Sequence, residues 1–152
     1  MYTTLHSTAL AFIDAQAQDS SQPSRMNFGR IEEVCTSDYQ HLWGHNYAVS
    51  QNPRLQGMHS FSDFTKHLSA MLPNLKSWET TVTDVTIDEM KKTVVLRVSL
   101  LMVPKGAEEG VENDMLWRLE MDEDGKKVRK STEFIDGIAA GRLKEIMMSG
   151  KK

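Results

Sequence analysis

Residues 92 to 103 constrain this 152-residue chain more than any other stretch. Val94, Leu96, Val98, Leu100 and Met102 make one unbroken apolar face, and Val95, Arg97, Ser99, Leu101 and Val103 make a mixed one. A period of two belongs to an extended strand, and partial apolarity on the second face reads as a strand covered on both sides. Such a strand needs neighbours. Residues 76 to 87 alternate before it, with Asp88-Glu89-Met90-Lys91 as the turn, and Asn113, Met115, Trp117, Leu119 and Met121 alternate after it against Glu112, Asp114, Leu116, Arg118 and Glu120. Asp124-Gly125 then signals a hairpin, because glycine adopts the positive φ that a tight turn requires, and a last strand is expected over residues 126 to 135.

The first half carries the helical period instead. Leu5, Ala9, Phe12 and Ile13 share one face of a helix expected to fade near Asp19, and Phe28, Ile31, Val34 and Cys35 share a face of a short second helix with Asn27 as cap. Tyr39, His41, Trp43 and His45 alternate in a first strand from Asp38, and residues 46 to 57 read as a loop. Ser60 with Asp63 resembles a capping box for a third helix carrying Phe61, Phe64, Leu68, Met71 and Leu72 to a stop at Pro73. Asp136 caps a terminal helix expected to end at Gly150. The sum is one α+β domain over residues 1–152, an antiparallel sheet packed on N-terminal helices with a short C-terminal helix.

Composition narrows the class. One cysteine, Cys35, forms no internal bridge and reads as a small buried hydrophobe in a reducing compartment. The N-terminus lacks the basic and continuously apolar segments of a secretory leader, and no stretch approaches the roughly 20 apolar residues of a membrane span, so a cytoplasmic protein is expected. A net charge of −3 argues against a nucleic-acid partner. The basic cluster Lys126, Lys127, Arg129 and Lys130 is offset locally by Asp122, Glu123 and Asp124.

This order of elements resembles the cone-shaped NTF2-like superfamily, in its SnoaL-like branch. The resemblance rests on the helix Ala9-Leu10-Ala11-Phe12-Ile13-Asp14, the strand entry Cys35-Thr36-Ser37-Asp38-Tyr39-Gln40-His41, and the hairpin from Asp124-Gly125-Lys126-Lys127-Val128 to Glu133-Phe134-Ile135-Asp136. The chain is also similar to small fungal SnoaL-like proteins that reshape polyketide or terpenoid intermediates. The resemblance implies a curved sheet around a cavity beneath the helices, and a homodimer formed through the outer sheet face. It also implies cofactor-independent isomerase, cyclase or dehydratase chemistry, although the superfamily includes non-catalytic binders.

Candidate site residues cluster in Tyr39 to Tyr47, where His41, Trp43, His45 and Tyr47 mix aromatic walls with the side chain best suited to proton transfer near neutrality. His41 and His45 have the spacing of a helical metal pair, but on a strand they stand roughly 13 Å apart, so no metal is expected. Glu112 and Asp114 are the candidate carboxylates; alternation points them outward with Arg118 and points Asn113 inward, and a bulge near Gly110 would exchange the two. Arg97, central in the strongest strand, needs a carboxylate, water or a ligand. Glu133 reads as a cavity acid or a cross-strand partner. The expectation is therefore an enzyme moving protons on a small apolar metabolite without a cofactor. His41 or His45 is its base and Glu112 or Asp114 its acid. Trp43, Tyr47, His59, Phe64, Arg97, Asn113, Trp117 and Glu133 are assigned to substrate binding. The alternative is a non-catalytic small-molecule-binding or protein-interaction domain.

Overall fold

Helix α1 (Tyr2–Asp14) forms because Leu5, Thr8, Ala9, Phe12 and Ile13 fall on one stripe, and all five are buried. The fold is that of a computed structural model, described over residues 1–149. The helix ends at Asp14 rather than near Asp19. The following segment is tied down by Arg25, whose guanidinium donates to the carbonyls of Leu72, Leu75 and Lys76 at 2.5, 2.7 and 3.2 Å and lies 5.4 Å from the Trp78 ring. Helix α2 (Phe28–Glu33) starts on Asn27, whose Oδ1 accepts from Arg30 N at 3.0 Å.

Strand β1 (Cys35–Gly44) begins three residues before the expected Asp38, so Cys35 opens a strand instead of closing a helix. Its burial pushes the thiol up to about 12, away from the reactive thiolate. Residues 46 to 57 contain helix α3 (Asn46–Ser50) and a 3-10 turn at Pro53–Leu55 where the sequence reads as loop. Strand β2 (His59–Ser60) precedes α4 (Phe61–Met71), and Ser60 Oγ accepts from Asp63 N at 3.1 Å, the cap that the sequence indicates. The meander follows as β3 (Leu75–Asp88), β4 (Thr93–Pro104), β5 (Val111–Met121) and β6 (Val128–Phe134), closed by α5 (Gly137–Ser149). The expected helix stop at Gly150 lies outside the described residues.

The strands form one curved six-stranded sheet in the order β2-β1-β6-β5-β4-β3, with the helices on one side. One pairing departs from the antiparallel expectation, because β1 runs parallel to β6. The chain reaches β6 only after the β3–β5 meander, and the return matches His41 with Ser131 and Trp43 with Glu133. The inner face is sealed by α1, where the Phe12 ring meets Trp117 edge-on at 5.6 Å. Each large apolar side chain buried in this way contributes about 1.5–3 kcal/mol.

The β4–β5 register runs without a bulge, pairing Ser99 with Asp114 and Leu101 with Glu112. Gly110 therefore exchanges nothing. Glu112, Asp114 and Arg97 all stand on the outer face, where Arg97 grips Asp114 with two hydrogen bonds of 3.0 and 2.6 Å and Ser99 donates to Glu112 at 2.7 Å. The Arg97 hydrogen bonds hold the Asp114 carboxyl below the usual carboxylate range. Leu101 and Leu116, 40% and 46% exposed, are the large apolar side chains most open on this face.

Asn113 points inward, as alternation requires, and its amide is used on the backbone. Its Oδ1 accepts from Asp136 N at 2.8 Å, and its Nδ2 donates to Asp136 O at 3.2 Å. Asp136 Oδ1 in turn accepts from Ile138 N and Ala139 N at 2.9 and 3.3 Å, capping α5. Asp136→Ala is expected to cost about 0.5–2 kcal/mol in urea denaturation, with Asp136→Asn recovering most of it because the amide oxygen caps equally well. Equal losses in both variants would remove the cap.

Candidate active site

A cavity of about 510 Å³ opens between the inner sheet face and helices α1, α4 and α5, within the size range of small-molecule sites. Its wall is mostly aliphatic, aromatic and methionine side chains. Met26, Met71, Met102, Met115, Met147 and Met148 supply compliant surface. The three tryptophans of the chain, Trp43, Trp78 and Trp117, all line it.

Of the residues that the sequence singles out, Trp43, Phe64, Asn113, Trp117 and Glu133 lie on this wall. His41 is fully buried just behind it, its ring 4.4 Å from both Trp43 and Phe64 and 5.6 Å from Trp117. His59 packs on the far side of Trp43 at 4.8 Å, half-buried and off the wall. Others are elsewhere. Strand β1 stops at Gly44, so His45 becomes the residue preceding α3 and its exposed ring lies 5.3 Å from Phe134. Tyr47 is 79% exposed on α3. Glu112, Asp114 and Arg97 are separated from the cavity by the thickness of the sheet, because strand alternation fixes their side chains outward. The expected pairing of His45 with Glu112 or Asp114 is therefore not assembled; the carboxylate on the cavity wall is Glu133.

Behind Glu133 the register builds a directed chain of polar groups. Tyr39, His41 and Ser131 all project inward, and Ser131 Oγ contacts the Tyr39 hydroxyl and lies 2.6 Å from His41 Nδ1. Burial raises the Tyr39 phenol well above its usual range, so it keeps its proton. Ser131 is the one partner of this buried phenol among the described residues, so the phenol donates to it or its hydrogen is left unpaired. The hydroxyl hydrogen of Ser131 is then free to reach His41 Nδ1, an arrangement that needs Nδ1 bare and the ring proton on Nε2. That Nε2–H faces Glu133 Oε1 at 3.4 Å without hydrogen-bond alignment, while the Glu133 side chain is 14% exposed toward the cavity. Catalytic hydrogen bonds are commonly long in an empty site and tighten when substrate arrives.

His67, on α4, is a second titratable residue of the wall and one that the sequence reading passes over. Its ring lies 4.8 Å from Trp43. The signal was present, since Phe64, His67, Leu68 and Met71 fall at i, i+3, i+4 and i+7 on the buried stripe of α4. Burial is the main cause holding its pKa below the ordinary 6.5, partly opposed by the charge of Glu133. The imidazole is neutral at pH 7. As pH falls below about 6.5, the unfolded chain takes up a proton that folded His67 resists, so stability declines until the folded pKa is passed. His67→Gln is expected to flatten that decline relative to wild type when urea midpoints are compared at neutral and mildly acidic pH. Parallel curves would contradict it.

Among the described residues, no group of three or more histidine, cysteine or acidic side chains is placed to hold a metal ion, and no helix is long and apolar enough to cross a membrane.

No protein-family model matches the sequence, and no curated protein matches it. Solved structures do match the fold. The BvnE pinacolase from Penicillium brevicompactum aligns with a TM-score of 0.79 at 12% identity, covering 99% of this chain and 99% of that one. A protein assigned as a SnoaL-like polyketide cyclase from Jannaschia aligns at 0.69 with 14% identity, covering 93% of this chain and 91% of that one. An NTF2-like protein of unknown function from Cytophaga hutchinsonii aligns at 0.59 with 10% identity, over 90% of this chain and 93% of that one. At these identities the likeness is one of fold.

Proposed function

We propose that this chain, which has the NTF2-like fold in its SnoaL-like form, is an acid–base enzyme acting on an apolar carbonyl-bearing secondary-metabolite intermediate. The observation that carries the reading is the convergence of a histidine and a carboxylate at an apolar cavity: Glu133 on the wall, with His41 Nε2 at 3.4 Å behind it. The chain shares its fold with those three structures, two of which are a pinacolase and an assigned polyketide cyclase. Fold likeness alone does not fix chemistry, so the roles are argued from the site.

Glu133 is the general base. Its carboxylate removes a proton from carbon next to the substrate carbonyl, and the electron pair moves onto the carbonyl oxygen. His67, neutral, offers an N–H to that oxygen as it gains charge. Return of the proton from Glu133 to a different carbon gives isomerisation; attack of the enolate on a second carbonyl within the same molecule, with that proton passing to the new alkoxide, gives cyclisation; departure of a β-hydroxyl, carried off as water by that proton, gives dehydration. The apolar wall excludes water that would quench the intermediate. His41 does not touch substrate. It is a positioning residue that orients the carboxylate through Nε2–H, with its tautomer set by Ser131 and Tyr39.

The test uses a substrate-independent probe of a carboxylate base in an apolar site. In 5-nitrobenzisoxazole, removal of the ring C–H proton breaks the N–O bond and releases a coloured cyanophenolate. The protein is expected to accelerate this ring opening with saturation. A rate no greater than that of free carboxylate at the same concentration would return the domain to the class of non-catalytic binders.

A further inference from the structure

Two cations on the cavity wall are not used by the proposed chemistry. Arg54, in the Pro53–Leu55 turn, and Lys144, on α5, both line the cavity and both belong to exposed residues, so the cavity opens to solvent where they stand. Among the described residues neither forms an ion pair, whereas Arg97, Arg118, Arg129, Lys130 and Arg142 each have a carboxylate within 4.0 Å. Two cations outside the ion pairs thus line this cavity on a chain whose formal charge is −3. Among the described residues, Glu133 is the cavity's one acidic side chain.

We infer that the ligand of this cavity is an amphipathic acid, an apolar ring- or chain-bearing body with an anionic carboxylate, enolate or phenolate end that Arg54 and Lys144 meet at the opening. The inference rests on the cavity being the substrate site and adds the substrate's charge and orientation. Glu133 repels an anionic group and the rim cations attract it, so the ligand enters apolar body first with its charged end held outside. That order brings a C–H of the body to Glu133. A fully neutral hydrocarbon-like ligand would gain nothing from either cation.

A matched pair of fluorescent probes tests this on the full chain: 1-anilinonaphthalene-8-sulfonate, which is anionic, and N-phenyl-1-naphthylamine, the same ring system without the sulfonate. Binding is read by energy transfer from the tryptophans, all three of which line the cavity. The Arg54→Gln/Lys144→Gln double variant is expected to lose about tenfold in affinity for the anionic probe and less than twofold for the neutral one. Added salt should weaken only the anionic probe in wild type. Arg142→Gln, which removes a cation of α5 that is off the cavity wall, should change neither. Equal losses for both probes, or no loss for either, would overturn the inference. Ring opening of 5-nitrobenzisoxazole is read separately. Absence of a selective loss for the anionic probe in the double variant, with base catalysis intact, removes the charged-ligand inference alone; absence of base catalysis with that selective loss observed removes the enzymatic reading.

Discussion

Glu133→Gln leaves a folded protein whose acceleration of 5-nitrobenzisoxazole ring opening falls by about 10²–10⁴-fold, the contribution typical of a positioned general base. The substitution suits the question because glutamine has nearly the same shape and keeps a carbonyl oxygen where the carboxylate faces His41 Nε2, so packing around Trp43 and Trp117 is retained. Only the basic oxygen is lost. Affinity for the neutral probe is expected to change little, which places the effect in kcat rather than KM. The carboxylates first suggested by the sequence serve as controls. Asp114→Asn and Glu112→Gln alter the outer face and should leave the rate within about twofold, as expected for side chains a sheet's thickness from the cavity. A Glu133→Gln rate equal to wild type would remove the assignment of the base whatever the fate of the other residues.

The contrast between Glu133 and Asp114 shows what a sequence makes legible here. Period-two alternation placed Asn113, Met115 and Trp117 inward and Glu112 and Asp114 outward with Arg118, and the continuous β4–β5 register agrees. The capping residues Asn27, Ser60 and Asp136 could be read from their types and neighbours because capping is local chemistry. The assembly of the site was not local. His41 meets Ser131 because β1 and β6 pair in parallel across ninety residues of chain, and nothing in either segment specifies that pairing. His45 failed to join because the strand gives way to α3 one residue earlier, a boundary of the kind that propensity places least securely. His67 was missed for a different reason, since a histidine inside an apolar helical stripe resembles a core residue until the cavity beneath it is seen.

Ser131→Ala is expected to cost about 2–6 kcal/mol, a large share of the roughly 5–15 kcal/mol that holds a domain of this size together. Ser131 is fully buried and is the shared partner of the Tyr39 hydroxyl and His41 Nδ1, so its removal strands two polar groups in the core at about 1–3 kcal/mol each. A hydrophobic-contact role for Ser131 would predict a far smaller loss, because the two side chains differ by one oxygen. The double variant Tyr39→Phe/Ser131→Ala separates these readings: it leaves only His41 unpaired and should recover about 1–3 kcal/mol relative to Ser131→Ala alone, a non-additivity measurable in a urea denaturation cycle. Function should respond too. Without the serine donor His41 Nδ1 no longer must remain a bare acceptor, and the tautomer with its proton on Nδ1 turns an Nε2 lone pair toward Glu133, where it repels the carboxylate it formerly oriented. The ring-opening rate should then fall in kcat while probe affinity holds, and Ser131→Thr, which keeps the hydroxyl on a strand-compatible side chain, should restore most of both. A loss below about 1 kcal/mol with an unchanged rate would show that the Tyr39–Ser131–His41 chain does not set the tautomer.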